Sequence, residues 1–172
     1  RGVILNNYRG LNFINDLKAN DIKIRIGRYL NVFNSFTYDF YSDFAESISS
    51  SVESDFSTIN TNSKNKQVEA LVYGRIELMN MRHCPFSLIK KCGLKGCETC
   101  KFNSGIMRSQ EGNEMKVIRY GSFSKIYPKD ISLVDTNKFD TNVSLLYSVM
   151  TDEDIINMNK AKKSESYKKG VI

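Results

Sequence analysis

The chain has 172 residues, 41% of them apolar, and a formal charge of +6 from 25 Lys and Arg against 19 Asp and Glu. Its length fits one domain, or a piece of one, because domains usually run to about 100–200 residues. No stretch approaches the ~18 consecutive apolar residues of a membrane-crossing helix, and four cysteines are too few for a small secreted scaffold held by disulfides.

Residues 1–75 alternate short apolar runs with helical patterns. Val3-Ile4-Leu5 reads as a strand, and Leu11, Ile14 and Leu17 mark a helical stretch after it. Ile22 to Ile26 is a second strand, Phe36 to Phe44 a helix, Ser47 to Ser49 a weaker third strand, and Asp55 to Thr61 a short helical turn. Glu69 to Tyr73 is the fourth strand. Strands recurring a little over twenty residues apart match successive βα units, and so predict a parallel sheet that needs both faces covered. Four such units, opening on a strand, are expected to be the second half of an eight-stranded βα barrel, whose usual length is ~250 residues. The N-terminal barrel half is then a missing partner. The opening Arg1-Gly2-Val3-Ile4-Leu5-Asn6 has no apolar run long enough for a signal peptide, so the expected location is cytoplasmic, with no membrane partner.

The pattern changes after residue 80. Cys84, Cys92, Cys97 and Cys100, all the cysteines of the chain, fall within seventeen positions. Four thiolates from one loop can supply the tetrahedral sulfur shell of zinc or the ligands of a 4Fe-4S cluster. Gly93 and Gly96 suit a tight knuckle around Cys97-x-x-Cys100. The spacing of 7, 4 and 2 intervening residues is not a standard zinc-finger spacing, so a site is the firmer expectation and the metal the weaker. Two disulfides, in any of three connectivities, are the competing reading, and they require an oxidising compartment. Arg82, Lys90, Lys91, Lys95 and Lys101 surround the thiols against the single acid Glu98. Such a collar offsets thiolate charge or attracts nucleic-acid phosphate; with no aromatic platform in view, the local role is preferred.

Downstream, Ile106 to Arg108 and Met115 to Tyr120 flank Gln110-Glu111-Gly112-Asn113, a hairpin turned at Gly112, and Lys125 to Tyr127 adds a short strand. Thr151-Asp152-Glu153-Asp154 predicts a helix start with a threonine cap, and the lysines from Lys160 to Lys169 belong to a solvated tail. The expected segments are therefore a βα-barrel half over 1–80, the four-cysteine loop over 81–104, a hairpin with short strands over 105–150, and a C-terminal helix with its tail over 151–172.

At the fourth strand the sequence resembles a known family. Val72-Tyr73-Gly74-Arg75-Ile76-Glu77-Leu78-Met79-Asn80-Met81-Arg82-His83-Cys84-Pro85 is similar to the YGR-x-x-L-M-x-x-R-H-C-P segment of the collagenase-like peptidase family, peptidase family U thirty-two. Leu30-Asn31-Val32-Phe33-Asn34-Ser35 resembles its LNVFNS motif, Ser51-Val52-Glu53-Ser54 stands where it has SPEL, and Met107 to Val117 resembles its DR-x-G-x-x-F-P-V hairpin. The resemblance covers most of the chain in the expected order. It implies a family registered as peptidases of unknown catalytic type, several of which resemble cluster-bearing partners in oxygen-independent hydroxylation of RNA bases or of a quinone precursor. It also implies a 4Fe-4S centre with one ligand at the place of Cys84 and others at Cys92, Cys97 and Cys100. Glu69 and Gly74 match the family's peptidase signature, but Glu77 stands at its cysteine, which weakens any transfer of proteolysis.

The expected function is a fragment of an enzyme component that carries a cluster for RNA base modification. The alternative is a peptidase acting on unstructured or collagen-like polypeptide, with the cysteines holding zinc for structure alone. The strand ends that would face a barrel mouth supply catalytic candidates: Asn31 and Asn34, which bind a polar substrate or close a βα turn; Glu53, a base or metal ligand, or the partner of Arg75 in a rim ion pair; and Arg75 itself. Arg82 and His83 contact an anionic substrate or, as preferred, donate hydrogen bonds to thiolate sulfur. His83 and Cys84 are adjacent on an extended segment and point apart, so no Cys–His dyad is expected.

Overall fold

The computed structural model describes residues 1–93, 95–121, 123–163 and 167. It divides into two compact units, one built from Arg1–Gly74, Leu133–Ile155 and Lys163–Ile172, the other from Arg75–Ser132 and Ile156–Lys162. These bounds differ from the four consecutive segments expected from sequence. The reason is that the strand Ser144–Tyr147 returns to pair with the fourth strand of the first unit.

In the first unit, β1 (Gly2–Leu5), α1 (Ile14–Ala19), β2 (Lys23–Ile26), α2 (Ser35–Ser42), β3 (Ser47–Ser49), α3 (Phe56–Ser63) and β4 (Val68–Gly74) follow in chain order. The strands β1, β2, β3 and β4 are hydrogen-bonded in that same order, and every one of these pairs is parallel. Mixed α/β architecture with a parallel sheet is thus as the βα rhythm predicts. All seven residues of β4 are buried, which explains its nearly continuous apolar run. Strand β2 alternates instead: Ile24 and Ile26 are buried, and Lys23 and Arg25 are exposed.

The register places Ile26, Ile48 and Val68 on one face of the sheet. Arg25, Ser47, Ser49 and Glu69 therefore share the other. Asn34 caps α2, accepting from the Thr37 N–H at 3.0 Å while Thr37 Oγ1 receives the Asn34 N–H, and Asp55 caps α3 through the Thr58 N–H at 2.7 Å.

The second unit holds β5 (Met79–Met81), α4 (Pro85–Lys90), β6 (Ser104–Arg108), β7 (Glu114–Tyr120) and β8 (Phe123–Pro128). These strands make a four-stranded antiparallel sheet in the order β5-β8-β7-β6. The expected hairpin is present, pairing Arg108 with Glu114 across a turn in which Gly112 has φ +88°.

Short strands β9 (Ser132–Leu133) and β11 (Lys162–Lys163) extend the parallel sheet beyond β4, and β10 (Ser144–Tyr147) pairs with β4 in parallel. The expected C-terminal helix is reduced to α5 (Asp152–Ile156) with a single 3-10 turn at Met158–Lys160. Its start is held by the Asp154 carboxylate, which accepts from the Thr151 N–H at 3.2 Å and the Met150 N–H at 3.0 Å. Of the expected tail, residues 164–166 and 168–172 lie outside the described residues. No helix among the described residues is long and apolar enough to cross a membrane.

Candidate functional site

The cysteine loop runs between β5 and β6. Cys84 stands just before α4, whose first residue, Pro85, has no N–H to lose and a φ already set for the helix. The helix stops at Lys91, held in the left-handed region at φ +50°. Three of the cysteines open tight turns: the Cys84 carbonyl accepts from the Ser87 N–H at 3.0 Å, that of Cys92 from the Lys95 N–H at 3.1 Å, and that of Cys97 from the Cys100 N–H at 3.4 Å. Gly96, at φ +72°, supplies the left-handed bend that starts the Cys97 turn.

All four cysteines line one cavity of about 310 Å³, together with Phe86, Phe102, Lys90, Lys95, Lys101 and Arg119. None of the four is in a disulfide. Cys84 is buried, Cys97 and Cys100 are half-buried, and Cys92 is exposed. The four thiols match a thiolate centre in kind and in number. Among the described residues, however, no three His, Cys, Asp or Glu side chains are grouped closely enough to hold an ion.

Two side chains fasten this loop. Arg119 on β7 donates to the carbonyls of Gly121 at 2.7 Å, Phe102 at 3.0 Å and Cys100 at 3.3 Å, and to Asn103 Oδ1 at 3.0 Å. A guanidinium offers five N–H donors in a rigid fork, so one residue can tie the segment 100–103 to the sheet. Phe86 lies over Gly105, where a Cβ would come within 2.8 Å of its ring. Lys90 places its ammonium 4.2 Å from the centre of the Phe102 ring. No carboxylate occurs among the described residues that line the cavity, so the thiols sit in a cationic setting.

His83 and Arg82 are both exposed and neither lines the cavity. His83 Nε2 lies 3.1 Å from Ser87 Oγ, and that hydroxyl donates its single proton to the Cys84 carbonyl at 2.7 Å. The imidazole must then be the donor, with its proton on Nε2. It steadies the backbone of Cys84 through Ser87.

The remaining candidates separate. Asn34 spends its side chain capping α2. Asn31 occupies the left-handed region at φ +52° and accepts a hydrogen bond from Ser51 Oγ. Ser51 Oγ also accepts from the Glu53 N–H at 3.2 Å. One hydroxyl thus brings Asn31 and Glu53 to the same turn, with the Glu53 side chain exposed. Arg75 belongs to the second unit, where its Nε donates to the Lys129 carbonyl at 3.3 Å.

Sequence reasoning missed Arg119, Ser87 and the polar strip of the parallel sheet. On that strip Arg25 pairs with Glu69, Arg25 Nε donates to Ser47 Oγ at 3.1 Å, and Ser49 Oγ donates to Glu69 at 2.9 Å. The charged residues Arg25 and Glu69 within otherwise apolar strands were its signal. Comparison of the chain with protein-family models, curated proteins and solved structures finds no match.

Proposed function

We propose that the chain is the metal-bearing part of an enzyme of the collagenase-like kind. On this reading Cys84, Cys92, Cys97 and Cys100 hold one inorganic centre, a 4Fe-4S cluster ahead of zinc, in the service of hydroxylation-type modification of an RNA base. The observation that carries the reading is the single cavity onto which all four cysteines open without a disulfide among them. The parallel sheet is read as half of a βα barrel; its strand order, which follows chain order from β1 to β4, suits that geometry.

When bound, a cluster supplies one-electron transfer, whereas zinc inside four thiolates keeps no open position and serves structure alone. The chain's own residues prepare the site. Lys90, Lys95 and Lys101 offset the charge of the thiolates. Arg119 fixes the backbone at Cys100, and Ser87 with His83 fixes it at Cys84. That use of His83 speaks against hydrolysis by a Cys84 thiolate, which needs a base aimed at sulfur.

The test is metal analysis of the anaerobically purified chain, read with its visible spectrum. A brown protein with iron and acid-labile sulfide that bleaches in air is the expected result. A colourless protein carrying zinc demotes the loop to a structural role, and a chain with neither metal overturns the proposal.

A further inference from the structure

The charge of the molecule is segregated. The unit made of Arg75–Ser132 and Ile156–Lys162 holds 13 Lys and Arg against 5 Asp and Glu, a formal +8, while the rest of the chain holds 12 against 14, a formal −2. The basic character of the whole chain therefore comes from the smaller unit. A dense positive charge on one unit attracts polyanions, but by itself it does not say which kind.

The antiparallel sheet of that unit supplies the second observation. Tyr120 and Phe123 pair across β7 and β8, and their rings stack at 5.5 Å with an interplanar angle of 16°. Both rings are open to solvent, at 40% and 38% exposure. A cross-strand aromatic pair stabilises its hairpin, and this one also leaves part of both rings in solvent. Here it stands at a tight turn through Gly121, whose φ is +63°.

Strand alternation and register give this surface its composition. Arg119 and Ser124 pair with each other one position away from Tyr120 and Phe123, so they share the opposite face, and it is Arg119 that lines the cysteine cavity. On the same face as the two rings lie Ile118 opposite Lys125, and Lys116 opposite Tyr127 and Ile106. Ile106 is 57% exposed at the end of this row. On that face Lys125 is held by Glu77 at 2.7 Å, Tyr127 is buried and Glu114 is paired with Arg108, so what it offers is the two rings, Ile106 and Lys116.

We infer that this sheet face is a binding surface for single-stranded nucleic acid, with Tyr120 and Phe123 as the stacking platform and Lys116 beside them on the phosphate path. Bases present flat π-faces to aromatic rings whatever their identity, and cations beside the rings track the backbone. An acidic protein would be met by the charge but would leave the paired rings without a role. A duplex hides its base faces and would use the lysines alone. The surface adds a substrate-holding face to the RNA-directed function proposed above and rests on that reading for its purpose, although binding there needs no metal.

The experiment is fluorescence anisotropy of the full chain, purified anaerobically, with a labelled oligo-uridine of roughly ten nucleotides, a length within the usual site range. An RNA duplex of the same length and heparin run as controls. The wild type should bind the single strand more tightly than the duplex, with affinity falling steeply as salt rises. Tyr120→Ala with Phe123→Ala should weaken single-strand binding about tenfold or more and leave heparin binding unchanged. Tyr120→Leu with Phe123→Leu keeps apolar bulk without the flat rings and should show the same loss, which guards against a folding artefact. Lys116→Gln should make the logarithmic salt slope shallower by about 0.7.

The inference is overturned if the wild type does not bind the oligonucleotide, if either double variant binds as well as wild type, or if duplex and single strand bind alike. The two proposals fail separately. A chain without metal that still binds the single strand through its rings sinks the metal centre alone, and a metal-loaded chain indifferent to both rings sinks this surface alone.

Discussion

The parallel sheet and the cysteine-bearing unit use polar residues in opposite ways. In the first, nearly every polar side chain that looked functional is answered locally: Asn34 caps a helix, Asn31 takes a hydrogen bond from Ser51, and buried Glu69 is met by Arg25 and Ser49. In the second, the thiols and lysines line one cavity, and the Arg119 side chain is spent on holding the loop in place. The contrast teaches that polar residues at strand ends are weak markers of function when the fold itself consumes them. Polar residues gathered around one opening are stronger ones.

The comparison can be broken first at Gly74, where the sheet depends on backbone alone. Its φ is +137°, and a Cβ there would sit 2.6 Å from the Ser148 carbonyl oxygen. Gly74→Ala should cost about 3 kcal/mol, read as a lowered urea midpoint. An unchanged midpoint would show that β4 and the segment after β10 do not meet as described.

The cysteine unit should respond differently to a change of comparable importance. Arg119→Gln removes the fork from Cys100, Phe102 and Gly121. If the loop holds a metal as proposed, its affinity, measured by competition with a chelator, should fall about 10–100-fold, the usual effect of losing a residue that orients a ligand. Affinity equal to wild type would assign Arg119 to the sheet and not to the centre.

The smallest effect is expected at the hairpin. Glu114 sits between Arg108, at 2.6 Å, and Lys129, and hydrogen bonds from Lys129 first and Arg108 second hold its carboxyl down at about 2 against an ordinary 4.5. A depressed carboxylate stabilises the fold fully above its unfolded value and loses that contribution as pH falls through the folded one. The difference in thermal midpoint between wild type and Glu114→Gln should therefore be constant above pH 4.5 and shrink towards zero near pH 2. Because the group is solvent-exposed, the difference should be modest and should diminish in high salt. A difference that grows on acidification would contradict the pairing.

Much of the architecture could be read from residue order because it is governed by short-range periodicity. The runs at Val3, Ile22, Ser47 and Glu69 became β1 to β4 within a residue or two at their ends, and the turn at Gly112 closed the expected hairpin. The C-terminal helix starts at its expected cap and ends at Ile156. Its caps are encoded locally, but its length depends on an apolar face to bury, which the sequence after Ile156 does not provide.

By itself, the sequence determined that there are parallel βα units, that four cysteines share one short loop, and that the chain is basic. Period, spacing and charge are properties of neighbours along the chain, and they survive any arrangement in space. Only the tertiary structure decided that β10 returns to β4, that Arg119 reaches back to Cys100, that His83 serves Ser87, and that Tyr120 and Phe123 stack in the open on a face opposite the cavity. The contact of His83 with Ser87 spans one helix start; the others join groups whose meeting depends on strand pairing and register, and a shift of one residue would turn Arg119, Tyr120 and Phe123 to the other face of their sheet.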